Sequence, residues 1–399
     1  MTLLIDPPNS PGHGRLWSHL ASDRSYDELH AFAQSLGIPQ RGFDRDHYDI
    51  PAERYDVVVA AGAVPVTSRE LIARLKAAGL RRRKAETLAP KRPGRPLIRA
   101  PRLRAGDIVA VVAPAGPVAE DRLDAGLAVL ESWGLDVRVM EHVRGTDRRF
   151  GYLAADDAAR AGDLMRAWCD AGVRAVFAAR GGYGVQRMVD LLDWRSLAEA
   201  GPKVLTGFSD LTALHQAVAS RLGLSTIHGP GVASLASGDD ESRAHLQSLL
   251  FEPVPGMGLV PAPGLALVPG RADGVLVGGN LALLAAEVGT RNSLPAAGSI
   301  AVLEEVGEPQ YRLDRLFTQL LRTGWFDGVR GIVLGDFTEC ASPEAVQDLV
   351  MDRLAPLGVP MLWGAPFGHE RRNLAFPFGV PATLDADAGT LIIRDTPLL

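Results

Sequence analysis

Ser209 sits in the turn Gly207-Phe208-Ser209-Asp210, between the strand-like Lys203-Val204-Leu205-Thr206 and a helix-like run from Thr212 to Ala219. A serine at a strand-to-helix turn stands at the positive end of the helix dipole, beside N–H groups that have no partner in the first turn. That setting suits a nucleophile whose reaction develops an oxyanion. The same residues also fit a plain N-cap, where Ser and Asp satisfy the orphan N–H groups and nothing more. Further along, the buried-looking run Ser299-Ile300-Ala301-Val302-Leu303 ends in the carboxylates Glu304 and Glu305. His369 lies in a Pro/Gly loop, Trp363-Gly364-Ala365-Pro366-Phe367-Gly368-His369. A lone histidine is usually structural. With a serine and a strand-end acid available, it becomes a candidate base. The chain order Ser, acid, His recurs in several hydrolase folds. The α/β-hydrolase elbow Gly-x-Ser-x-Gly is not matched, because Leu211 holds its last position.

A second turn, Arg180-Gly181-Gly182-Tyr183-Gly184, follows the strand-like Val173–Ala179. It lacks the Gly-x-Gly-x-x-Gly spacing of a dinucleotide site and the Gly-Lys-Ser/Thr of a phosphate loop. Glycines in a tight turn are its plain explanation. A functional use remains open: glycine lets a backbone N–H approach a reacting carbonyl oxygen closely, and one such N–H of this turn can pair with that of Asp210 as an oxyanion hole.

The elements that must position these residues read as alternating strands and helices. Gly106–Pro114, Val137–Met140 and Val173–Ala179 are strand candidates; Val118–Trp133, Ala155–Ala171 and Gln186–Leu192 read as helices. This rhythm predicts a mainly parallel sheet covered on both faces. Active groups gather at the carboxyl edges of such strands, where Gly181-Gly182 and Ser209 both fall. The last third adds strands at Asp273–Leu281, Ser299–Val306 and Gly331–Phe337, with a helix-like run reaching Leu321.

At 399 residues, two or three domains are expected. The apolar fraction of 47% is that of a soluble protein, and the net charge of −5 gives no sign of a nucleic-acid partner. The two cysteines, Cys169 and Cys340, exclude a disulfide framework and a Cys-rich zinc site. No signal peptide is visible, and no apolar run approaches the roughly 20 residues that span a bilayer. These features together predict a cytoplasmic protein.

A basic, Pro/Gly-containing stretch holds Arg81-Arg82-Arg83-Lys84 and Lys91-Arg92-Pro93-Gly94-Arg95-Pro96; it reads as a linker, over 86–104. Before it lies a small module, 1–85, with Asp6, His13, His19, Asp23, Glu28, His30, Asp44 and His47. Its Leu3–Asp6 run reads as a strand, Tyr26–Leu36 as a helix, and Thr67-Ser68-Arg69-Glu70 as a capping sequence. No zinc-type ligand spacing is present, so satisfied structural histidines are expected and no metal is assigned. The module resembles an uncharacterised small bacterial domain family, through Trp17-Ser18-His19-Leu20, Asp27–Ala33, His47-Tyr48-Asp49 and Ala61–Thr67.

From about 104 to 399 the chain resembles the LD-carboxypeptidase family of serine peptidases, which includes murein tetrapeptide carboxypeptidases and microcin C self-immunity peptidases. The motifs that carry the resemblance are Val111–Gly116, Arg180–Gly184, Gly207–Asp210, Ile227-His228-Gly229-Pro230, Val277–Leu281, Leu303–Pro309 and Phe367-Gly368-His369. The resemblance implies Ser209 as nucleophile, Glu304 as acid and His369 as base, with the N–H groups of Gly182 (or its neighbour) and Asp210 as oxyanion donors and no cofactor. It implies an α/β architecture: a doubly wound parallel-sheet domain (105–235), a connection (236–272) and a β-rich domain (273–399), all preceded by the small α/β module. It also implies a homodimer acting on a small peptide, with no membrane partner. Arg312 and Arg371 are candidates for binding a substrate carboxylate, although either can be a structural ion pair. The murein enzymes release terminal D-Ala from muropeptide tetrapeptides in wall recycling. The microcin-type enzymes cleave aminoacyl-nucleotides and stack a Trp on the base. The connection here is short and has no Trp, which favours the murein substrate. A non-catalytic binding protein acting through its N-terminal module is the contrasting expectation.

Overall fold

The computed structural model describes residues 3–12, 15–39, 42–44, 46–78, 80, 94–258 and 265–399. His13, Arg81 to Lys84 and Lys91 to Pro93 lie outside the described residues. The chain divides into two compact units, Met1–Ala89 and Pro90–Leu399.

The first unit is built on strands β1 (Leu3–Ile5), β2 (Ser10–Gly12), β3 (Arg15–Ser22), β4 (Phe43–Asp44), β5 (His47–Pro51) and β6 (Val64–Pro65). They form one sheet in the order β4-β5-β3-β1-β6, with β2 also on β3. The helix Tyr26–Ser35 starts where Ser25 accepts the N–H of Glu28, and Thr67 likewise caps Ser68–Ala77 through the N–H of Glu70. Ile5, Leu20, Leu29, Ala33, Tyr48, Ile50 and Val58 form the core. The long central strand β3 was not visible in the sequence pattern.

The second unit holds two sheets. The first contains β7 (Ile108–Val112), β8 (Asp136–Val139), β9 (Val173–Ala178), β10 (Val204–Gly207) and β11 (Thr226–His228). Their order is β11-β10-β9-β7-β8, all parallel, which is the doubly wound arrangement. Alternate residues enter opposite cores. Val109, Val111, Ala175 and Phe177 pack on one face; Ala110, Val112, Val176 and Ala178 pack on the other. Helices cover both faces, so the strands read as continuous apolar runs.

The second sheet comprises β12 (Leu265–Val268), β13 (Arg271–Asn280), β14 (Ser299–Val306), β15 (Gly331–Thr338), β16 (Met361–Trp363), β18 (Pro381–Asp385) and β19 (Thr390–Ile393), in the order β12-β16-β15-β14-β13-β18-β19. Its centre, β13 to β16, is parallel and its edges are antiparallel. The remaining strand, β17 (Phe376–Phe378), pairs antiparallel with β11 and completes the first sheet from the C-terminal end of the chain. The C-terminal part of the chain, which builds the second sheet, therefore also lends a strand to the first. Residues 94–104 are held by this unit too. Leu97 N–H donates to Gly379 O, Ile98 N–H to Gly223 O and Leu103 N–H to Leu250 O, each at 2.9 Å. The part of the expected linker that is described is thus bonded structure. No helix among the described residues is long and apolar enough to cross a membrane.

Candidate active site

Strand β10 ends at Gly207, Phe208 is extended, and Ser209 takes φ 64°. Glu339 is the only other non-glycine residue with positive φ among the described residues. This left-handed conformation costs a residue with a Cβ about 1–2 kcal/mol. A single 3-10 turn, Ser209–Leu211, then leads into the helix Thr212–Leu222. The N-cap of that helix is Leu211, with no side-chain cap bond. Ser209 therefore does not serve as the N-cap that its sequence context allowed. Its side chain is lifted out of the cap and left half-buried at the carboxyl edge of the sheet.

The glycine turn closes on this serine. A Cβ at Gly181 would lie 2.8 Å from Ser209 Cβ and 3.1 Å from its Oγ. Only glycine fits there without moving the hydroxyl. Gly181→Ala is expected to lower kcat about 100-fold, as a shift of about 1 Å in a reacting group does; steady-state kinetics on the folded variant would check it, and an unchanged kcat would mean that the turn is a spacer only. The N–H of Gly182 meets no acceptor among the described residues. The N–H of Asp210 falls in the first turn, where intrahelical partners are lacking. Of the expected oxyanion donors, Gly182 thus follows Gly181, which packs on the serine, and Asp210 follows Ser209 itself. The Asp210 side chain has a role that the sequence did not suggest. It is buried, and its Oδ2 accepts the N–H of Val185 at 2.8 Å, tying the Ser209 turn to the end of the glycine turn. Burial pushes its pKa up to about 6, against the pull of that hydrogen bond and of Arg160.

Glu304 and Glu305 close β14 and separate into two tasks. Glu305 is held by three donors: Asn280 Nδ2 at 2.8 Å, its neighbour Val306 N–H at 2.9 Å and Ala282 N–H at 2.7 Å. Burial nevertheless pushes Glu305 up to about 7, with Glu304 adding to the rise. Glu304, fully buried, turns the other way, and its Oε2 accepts from His369 Nδ1 at 2.8 Å. The His369 side chain is 18% exposed, and its ring lies against Phe208 with centroids 4.9 Å apart. Burial opposes charge on this imidazole, but the hydrogen bond and the charge of Glu304 outweigh it, and Glu305 and Asp336 add to them, so its pKa is raised. No hydrogen bond joins Ser209 to His369 among the described residues; such bonds are often long in unliganded sites and tighten with substrate.

Asp336, on β15, was not anticipated from the sequence. Burial pushes it up to about 7, and its Oδ2 meets no protein donor. Its Cβ would lie 2.8 Å from a Cβ on Gly368, so it packs directly beneath the His369 loop. The only signal available was an acid just past a glycine on a buried strand.

Gly279 joins the two halves of the site. With φ 124°, it brings β13 so close to the helix that follows Ser209 that a Cβ would meet Thr212 Oγ1 at 2.5 Å. The next N–H, of Asn280, donates to that oxygen at 3.0 Å. Asn280 is in register with Glu304 on β14. The backbone carrying the acid is thereby fixed to the backbone carrying the serine.

Phe208 and His369 line a cleft of about 540 Å³, with Arg122, Arg243 and Arg371 among its other walls. Arg243 is engaged by Asp240 and by the carbonyls of Leu235 and Gly238. Arg371 is exposed and has no ion-pair partner among the described residues. Arg312 behaves differently: it pairs with Glu308 one turn back at 2.5 Å and is not part of the cleft wall.

Residues 109–229 match the LD-carboxypeptidase N-terminal domain and residues 273–384 the LD-carboxypeptidase C-terminal domain. The chain belongs to the LD-carboxypeptidase family. It is 53% identical, over 76% of its length and 98% of the relative's, to a Streptomyces coelicolor protein whose name assigns it provisionally to the carboxypeptidases. It is 38% identical to the murein tetrapeptide carboxypeptidase of Pseudomonas aeruginosa, over 70% of this chain and 93% of that one. The crystal structure of an MccF-like protein from Bacillus anthracis superposes with a TM-score of 0.69 at 25% identity, covering 74% of this chain and 99% of that one. Residues 3–78 match a protein family of unknown function (DUF4031). The chain is thus an LD-carboxypeptidase family member carrying an additional N-terminal unit.

Proposed function

We propose that this family member is a serine carboxypeptidase that hydrolyses the amide between an L-configured centre and a terminal D-residue, releasing D-Ala from muropeptide tetrapeptides. The observation that carries the reading is the buried Glu304–His369 pair standing beside the left-handed Ser209 turn. In this scheme His369 Nε2 takes the Ser209 proton as Oγ attacks the scissile carbonyl. Glu304 holds the imidazole in the required tautomer and stabilises its charged form. The N–H groups of Gly182 and Asp210 receive the oxyanion, each contributing about 3 kcal/mol if they resemble other such donors. His369 returns the proton to the leaving amine, and water then releases the acyl group. The raised pKa of the histidine fits a base that must become imidazolium in the transition state.

A free terminal carboxylate needs a cation, and Arg371 is the guanidinium assigned to it here. Arg371→Ala should lower kcat/KM about 10- to 100-fold, the usual worth of a hydrogen bond to a charged group. An amidated substrate should lose a similar factor with the native protein and lose nothing further with the variant. Independent losses would place the carboxylate elsewhere.

The reading is tested by incubating the protein with a muramyl tetrapeptide ending in D-Ala and following D-Ala by mass spectrometry, with Ser209→Ala alongside. Release confined to the native protein supports it. Turnover of an aminoacyl-sulfamoyl nucleoside in place of the tetrapeptide would move the substrate to the microcin type. The cleft wall offers Phe208 but no tryptophan, which supports the peptide substrate. Action in the cytoplasm and as a homodimer belongs to the same proposal.

A further inference from the structure

The N-terminal unit gathers two histidines and three carboxylates at one point of its sheet. Pairing of β3 with β5 sets His19 directly opposite Asp49. Residues two apart on a strand share a face, so His47 joins them. A ring nitrogen of each histidine and a carboxylate oxygen of Asp49 all lie within 4.8 Å of one another. The two rings meet edge to face, with centroids 4.8 Å apart.

Behind this group stand Asp6 and Asp46, each only 1% exposed. Asp6 Oδ2 accepts from His19 Nδ1 at 2.9 Å and from Ser68 Oγ at 2.6 Å; its Oδ1 accepts the His19 N–H at 2.6 Å. Asp46 Oδ1 takes the Nδ1 proton of His47 at 2.7 Å. Each imidazole is thus oriented by a buried carboxylate at Nδ1, leaving Nε2 as the lone-pair nitrogen. The Nε2 of His47 lies 3.4 Å from Asp49 Oδ1. Asp49 is 45% and His19 29% exposed, so the group opens to solvent. A buried carboxylate behind each of two converging imidazoles is the outer shell that metal-binding histidines carry.

We propose that His19, His47 and Asp49 bind a divalent transition-metal ion of the Zn²⁺ type, with Asp6 and Asp46 as outer-shell carboxylates and a coordination position open to solvent. Two imidazoles and one carboxylate are a familiar protein donor set for zinc when the fourth position is left to water or substrate. The other His/carboxylate group, Glu141, His142 and Asp163, is unlike this one. Arg166 already engages both of its carboxylates, so their charge is spoken for.

The test uses tag-free full-length protein, stripped with chelator and titrated with Zn²⁺ by calorimetry. Co²⁺ absorption in the visible range serves as a second readout of coordination. About one equivalent of Zn²⁺ should bind. Asp49→Ala, which changes a half-exposed side chain and leaves the core intact, should weaken binding at least tenfold. His47→Ala should do the same, and Asp46→Asn should weaken it about 10- to 100-fold through the outer shell. His142→Ala should bind as the native protein does. Absence of saturable Zn²⁺ binding, equal affinity in Asp49→Ala and the native chain, or a loss confined to His142→Ala would each overturn the proposal.

Discussion

In the proposed scheme, Ser209→Ala is expected to lower kcat/KM for the tetrapeptide by about 10⁴-fold or more, with the fold intact. The size follows from how such sets work. Nucleophile, base and acid act as a unit, so removing one removes nearly all that the three supply, and the residue left comes from the oxyanion donors and binding. Ser209→Gly gives a second, independent reading of the same position. The turn holds Ser209 at φ 64°, where alanine is strained and glycine is not. The glycine variant should therefore be equally inactive yet more stable than the alanine variant by about 1 kcal/mol in chemical denaturation. Two outcomes would count against the scheme. Turnover by Ser209→Ala within tenfold of native would place the nucleophile elsewhere. A glycine variant less stable than the alanine one would show that the left-handed turn is not where strain is held.

That position also shows how far the sequence could be read. Strand Ser299–Val306 was legible to the residue because both of its faces are buried and its run is continuously apolar, which is a local property. The strands β7 and β9 were legible for the same reason, and the LD-carboxypeptidase motifs fixed which of their ends matter. The backbone conformation of Ser209 was not legible. The same Gly-Phe-Ser-Asp letters suit an N-cap, and the turn that excludes it is packed against Gly181, 28 residues away in the chain. Asp210 was expected for its N–H alone; its carboxylate reaches Val185 across 25 residues of chain, which no local pattern encodes. Asp336 was missed because nothing in Gly335-Asp336-Phe337 announces a neighbour at residue 368. The pairing of Arg312 with Glu308 is the opposite case: Glu308 stands just before the helix Gln310–Arg322 and Arg312 in its first turn, four residues on, so the contact is local and was readable in principle. The His19–Asp49 juxtaposition depends wholly on strand register. Spacing along the chain therefore gave no metal signal, whereas the sheet places the two residues side by side.

Glu304→Gln is expected to lower kcat about 10³- to 10⁴-fold and to move the acid limb of the pH–rate profile to lower pH. The two effects have separate origins. A glutamine can hold the ring with the wrong nitrogen protonated and cannot stabilise imidazolium, which accounts for the loss in rate. The shift follows from the balance at His369. Burial lowers the pKa of this imidazole, while the bond to Glu304 and its charge raise it further than burial depresses it. In the proposed scheme the base is lost to protonation as the pH falls through a pKa raised above 6.5, and kcat/KM should decline with a midpoint above that value. Removing the charge of Glu304 leaves burial opposed only by the more distant Glu305 and Asp336, so the midpoint falls. The sign for stability runs with it. A histidine whose folded pKa is raised contributes its full stabilisation below its unfolded pKa, and that contribution is lost as the pH rises through the folded value. The native protein should thus lose to the variant part of its stability advantage between pH 6.5 and somewhat above, while its activity rises over the same interval. Profiles of kcat/KM and of denaturation midpoint, taken on both proteins across that range, check both signs. An unchanged acid limb in Glu304→Gln would mean that some group other than His369 limits the native enzyme at low pH.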